Sequence, residues 1–155
     1  METQRRFRLR PVVIASAVAC LIALAAAWHF TARTSPAAGP PLEIRWHGNG
    51  IVLQGAVRDV ATQRALAEGA AARLGGEADQ VVDWLDIVPS ALPVANASAL
   101  AELIGLGQEG WHLQRRPKDG WLAVQSLSDE RSVRARALLR AAFGPEVSME
   151  LVALP

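Results

Sequence analysis

Apolar and polar residues alternate along several short stretches of this chain, and Ala-rich stretches of helical character separate them. Leu42, Ile44 and Trp46 alternate with Glu43, Arg45 and His47, which predicts a half-buried strand. His47-Gly48-Asn49-Gly50 holds an Asn-Gly pair suited to a hairpin turn. Ile51, Leu53, Gly55 and Val57 then form one face of a second strand. Asp59 is placed to cap a helix over 60–74, and Gly75-Gly76 to end it. Ala61, Ala65, Leu66, Ala70 and Leu74 make its predicted apolar stripe, small enough for close approach to a sheet. Val81, Leu85 and Ile87 alternate along a third strand, with Asp83 the exception on that face.

The same order recurs further on. Residues 49–59 line up with 119–129, and Arg64 then falls on Arg134. Residues 71–75 match 140–144 one residue out of that phase. Trp111 and Leu113 alternate with His112 and Gln114, 115–120 reads as a turn, and 121–127 as a strand. Ser128 or Asp129 caps a helix reaching about Phe143, and Gly144-Pro145 stops it. Val147, Met149 and Leu151 mark a last strand. Residues 90–108 connect the copies through a short helix capped by Asn96 or Ser98. The predicted fold is α+β. Two ββαβ repeats, 42–89 and 109–155, form a mixed sheet of up to six strands covered by helices, with right-handed crossovers.

Residues 11–30 hold 20 positions without a formal charge. At about 1.5 Å per residue such a helix spans about 30 Å, the thickness of a bilayer core. Arg5, Arg6, Arg8 and Arg10 precede it and Arg33 alone follows closely. The positive-inside bias makes residues 1–10 a cytoplasmic tail and places the C-terminal domain in the periplasm, on a single-pass inner-membrane anchor. Arg8 and Arg10 on one side, and Trp28 and Phe30 on the other, are the expected membrane-interface residues. The rival reading is a cleaved signal peptide, with Ala-x-Ala sites ending at Ala25 or Ala27. Both readings put the rest of the chain outside the cytoplasm. Residues 31–41, rich in Pro, Ala, Ser and Gly, form a short linker.

Charge narrows the choice of partner. Residues 34–155 carry 11 basic and 14 acidic residues, a net of −3, which disfavours nucleic acid as a partner. The single cysteine, Cys20, excludes an intramolecular disulfide and any Cys-based metal site. As a lipoprotein acceptor it lacks the usual preceding Leu. His29, His47 and His112 have no metal-type spacing, so no metal or other cofactor is expected. Asp83 and Asp86 fall on opposite faces of a strand and cannot act as a carboxylate pair. The serines have no His/Asp context for a triad, and Gly48-Asn49-Gly50 has no helix directly after it to hold a phosphate. These features point away from an enzyme. Arg131, Arg134, Arg136 and Arg140 make one helix basic, either as a solvated face or as a dock for acidic lipid or protein. Trp84, on the face opposite Leu85, is the best candidate for a partner contact, with Arg131 and Arg134 beside it as candidates.

Residues 50–59, the Ala-rich helix after them, and Val81-Val82-Asp83-Trp84-Leu85-Asp86-Ile87 resemble a BON domain. The pairing of copies over 42–155 is similar to the BON-repeat region upstream of the peptidoglycan-binding module in some OmpA-family envelope proteins. In the second copy Gln125 falls where the first has Gly55. The resemblance implies a membrane-associated, extracytoplasmic module that binds phospholipid or envelope protein and has no catalytic residues. The peptidoglycan-binding module itself does not appear in this sequence, so a wall-anchoring role does not carry over. The expected function is therefore that of a non-enzymatic accessory or interaction subunit of an envelope or inner-membrane complex. The alternative is a phospholipid-binding module released by signal cleavage.

Overall fold

The computed structural model of the protein describes residues 39–154. The predicted tail 1–10, the apolar segment 11–30 with Trp28 and Phe30, and most of the linker lie outside the described residues. Among the described residues no helix is long and apolar enough to cross a membrane.

Strands β1 (Leu42–His47) and β2 (Gly50–Val57) lead into helix α1 (Val60–Arg73), a 3-10 turn (Ala78–Gln80) and β3 (Val81–Ile87). Helix α2 (Ala97–Leu106) follows, then β4 (His112–Arg115), β5 (Asp119–Val124), α3 (Glu130–Phe143) and β6 (Ser148–Ala153). The class is α+β, and among the described residues three helices pack on one mixed sheet in the order β3-β2-β1-β4-β5-β6. The pairs β2–β3 and β5–β6 are parallel and the other three are antiparallel. The order ββαβ occurs twice, with α2 between the copies.

Local chemistry sets the helix ends. The Asp59 carboxylate accepts from the Thr62 N–H at 2.7 Å, Asn96 from Ala99 at 3.0 Å, and Asp129 from Ser132 at 2.6 Å. Each satisfies one of the orphan donors at a helix start. Gly76, at φ +93°, ends α1 by donating to the Ala71 carbonyl at 2.8 Å.

The helices cover one face of the sheet. Leu42, Ile44, Trp46, Leu53, Leu113 and Leu122 point into that layer and are buried. Leu66 of α1, Leu100, Leu103 and Ile104 of α2, and Leu139 of α3 meet them. Each fully buried Leu or Ile stabilises by about 1.5–3 kcal/mol, so this single interface holds the fold together. Helix α2 packs against both α1 and α3. Gly69 of α1 makes room for it: a Cβ there would come within 2.8 Å of the Ala101 Cβ.

Several details depart from the sequence expectations. The first turn consists of Gly48 and Asn49, since His47 pairs with Gly50, and neither turn residue takes a positive φ. Asn49-Gly50 is therefore not the central pair of the hairpin. Strand β4 runs through Arg115, which pairs with Gly120, so 115–120 is not all turn and β5 starts at Asp119. The buried positions of α1 are Thr62, Leu66 and Ala70, and Leu74 beyond its end packs against the core, while Ala61 is exposed, since packing against the sheet and α2 sets the inward side.

The repeat register shifts as well. Ile44 stands opposite Leu113 at the centre of the sheet, and the pairs Trp46–Ile51 and Arg115–Gly120 follow each turn equivalently. Through both hairpins, equivalent residues therefore lie 69 apart, as Glu43 and His112 do, one fewer than the sequence match suggested. The counterpart of Gly55 is Val124, not Gln125. Arg115 takes the place of Trp46. It is 3% exposed, its guanidinium lies 5.6 Å from the Phe143 ring centroid, and its Nε has no partner among the described residues. Burial lowers its pKa, and the Asp119 charge opposes that shift.

Candidate functional site: the open face of the sheet

The second face of the sheet carries no helix among the described residues. Strand alternation delivers its side chains: Glu43 and Arg45 from β1, Gln54 from β2, Trp84 from β3, His112 and Gln114 from β4, and Trp121 from β5. Trp84 is 65% exposed, an unusual position for an indole unless it makes a contact.

A charged cluster occupies the middle of this face. The Glu43 Oε1 atom accepts from Arg45 Nε at 2.7 Å and from His112 Nε2. The His112 ring stands edge-on to Trp121, with centroids 4.6 Å apart and an interplanar angle of 81°. Beside it, Arg116 donates to Gln114 Oε1 through Nε at 3.1 Å and Nη2 at 3.0 Å. A cleft of about 440 Å³, lined by Arg45, His47, Glu109 and His112 among others, opens at the cluster's edge. His47 is exposed and His112 partly buried.

Burial raises the pKa of Glu43, but the hydrogen bonds and charges of Arg45 and His112 outweigh it and hold the carboxyl below 4.5. A carboxyl that titrates lower when folded favours the folded state while it is ionised. Its contribution is complete above about pH 4.5 and is lost as pH falls through the folded value. Denaturant unfolding across the acid range should show Glu43→Gln losing less stability than the wild type in that window. Parallel curves for the two proteins would mean that the cluster carries no linkage.

The other candidates sit elsewhere. Arg131 and Arg134 lie on α3 in the helix layer, so they do not share a surface with Trp84. Arg134 bonds Glu102 of α2, whose hydrogen bond and charge raise its pKa. Arg131 Nη1 donates to the Leu106 carbonyl at 3.3 Å. Asp83 accepts from Gln63 at 3.1 Å and from the Leu85 N–H of its own strand at 3.0 Å. The second bond occupies a backbone donor of an edge strand, which discourages pairing with another chain. Asp86 pairs with Ala56 on the opposite face from Asp83, as the alternation required. Among the described residues no group of His, Cys, Asp and Glu could hold a metal ion.

Sequence reading overlooked Glu43, His112 and Trp121 as a unit. The alternation put Glu43 and His112 on the polar face, but Trp121 was given no face, and nothing local places β1 beside β4. Comparison with known proteins finds no matching family model and no matching curated protein.

Proposed function

We propose that this chain is a non-enzymatic interaction module of the cell envelope. Residues 11–30 hold it in the inner membrane with its paired BON-like repeats in the periplasm, as an accessory subunit of a larger membrane assembly. The observation that supports this reading is the open sheet face, where Trp84 and the Glu43 cluster present contact chemistry on a rigid support. The likeness to BON domains rests on the motif residues and on the repeated ββαβ order.

A photo-crosslinking amino acid placed at position 84 in cells tests the surface, with position 133 on the helix layer as its control. Val133 is 57% exposed and distant from the open face, so it reports non-specific capture. Adducts with an envelope component at 84 and none at 133 are expected. Adducts at 133 alone would move the contact surface to the helix layer and overturn the assignment.

The second reading, a released phospholipid-binding module, is favoured by α3. Exposed Arg136 and Arg140 stand there near Val133, one to two turns along the helix. Co-sedimentation with anionic vesicles, lost on replacing both arginines by glutamine, would support it. Absence of co-sedimentation would remove it.

A further inference from the structure

The outward side chains line up in rows across the strands. One row runs Trp84, Gln54, Glu43, Gln114, Trp121 and Glu150, each directly opposite the next in the ladder. Two indoles stand on β3 and β5, and three planar polar groups, two carboxamides and one carboxylate, stand between them. A protein-binding patch has the reverse anatomy, with apolar anchors in the centre and polar groups at the rim.

Charge narrows the occupant further. The row itself holds two carboxylates, Glu43 and Glu150, and no basic side chain, and the guanidiniums beside it, Arg45 and Arg116, are tied to Glu43 and Gln114, which disfavours a polyanion as occupant. The groups present suit an uncharged polyol. Carboxamides and carboxylates exchange hydrogen bonds with hydroxyls, and indoles cover the apolar faces of sugar rings. The spacing agrees. Strands lie about 4.8 Å apart, close to the advance per sugar along an extended β-linked chain, which puts the two indoles about 19 Å from each other. Sheet twist of about 20–25° per strand turns the row as it advances, which suits one flexible chain rather than a flat crystalline surface. The row is also partly fixed before a ligand arrives. The Glu43 side chain is only 12% exposed and is held by two partners, and Trp121 stands against His112.

From this geometry we infer that the open face binds an uncharged pyranose glycan laid across the strands. Trp84 and Trp121 stack on sugars near its ends, and Gln54, Glu43 and Gln114 bond the hydroxyls between. The inference rests on the open face being the contact surface and names the chemistry of what it contacts.

The full chain in a non-glycosidic detergent, titrated calorimetrically with chitobiose, chitohexaose and cellohexaose, tests it. At least one hexasaccharide should bind, and chitohexaose, if it is the one, about tenfold or more tightly than chitobiose, because only the longer chain reaches both indoles. Trp84→Ala and Gln54→Ala, at exposed positions where misfolding is not a concern, should each weaken that binding severalfold, and Val133→Ala should leave it unchanged. Binding of neither hexasaccharide overturns the inference, as does equal affinity for both chain lengths or indifference to Trp84→Ala. Protein adducts at position 84 without oligosaccharide binding would overturn the glycan and leave the interaction module standing. Absence of both would remove the module reading as well.

Discussion

Replacing Trp46 by alanine should destabilise the domain by about 3–5 kcal/mol, the usual cost of truncating a buried aromatic to alanine. Trp46 is 2% exposed and joins the sheet to the helix layer. Its Nε1 donates to the Ile104 carbonyl at 2.9 Å, at the end of α2. Its ring meets Trp111 edge-on, with centroids 6.2 Å apart and an interplanar angle of 74°. Gly107 lies so close that any Cβ there would run into the indole. A domain of this kind has about 5–15 kcal/mol of stability in all, so the loss is a large share of it. Trp46→Phe should fall between the two proteins. It restores much of the packing but removes the indole donor to Ile104, a loss of about 1–3 kcal/mol. Denaturant unfolding should give the order wild type, Trp46→Phe, Trp46→Ala. An alanine variant as stable as the wild type would mean that β1 does not anchor α2 through this residue.

Gly55→Ala should cost about 2–6 kcal/mol, from backbone strain and overpacking together. The residue sits in β2 at φ +112°, where an L side chain is strained whatever the space around it. Space is also lacking. A Cβ would stand 2.8 Å from the Pro41 carbonyl carbon and 2.9 Å from the Leu42 Cα. Both are backbone atoms, so no side-chain rotation relieves the clash, and the start of β1 must move. Gly105 in α2 is the internal control, because a Cβ there meets nothing within 4 Å. Gly105→Ala should stabilise by up to about 1 kcal/mol through helix propensity alone. Thermal unfolding should therefore shift in opposite directions for the two glycines. A shift of Gly55→Ala as small as that of Gly105→Ala would argue against the close approach of Pro41.

The function proposed here depends on a surface assembled from four strands of one ladder, β3 through β4, and extended by a fifth. Each strand was legible alone. The alternation of Leu42, Ile44 and Trp46 with Glu43, Arg45 and His47 told inside from outside, and the buried and exposed positions of β1 agree with it. Trp84 was legible in the same way, as the residue between two core-phase positions. What could not be read was the lateral order, in which Glu43 lies beside Gln114 although nearly all of the first repeat and the connector separate them in the chain.

The local features were in the sequence: the order and type of the elements, the cap at Asp59, a cap at Asn96 or Ser98 of which the structure takes Asn96, the stop at Gly75-Gly76, and the α+β class. These follow from side-chain periodicity and from hydrogen bonds reaching three to five residues along the chain, which need no distant partner. The tertiary structure alone decided the hairpin register, the burial of Arg115 and the inward side of α1. It also decided the alignment of Trp84, Gln54, Glu43, Gln114 and Trp121 in one row. Those depend on which strand pairs with which and on how the helix layer fills the space over the sheet. A one-residue slip in a hairpin changes every cross-strand neighbour while leaving the composition of each strand untouched.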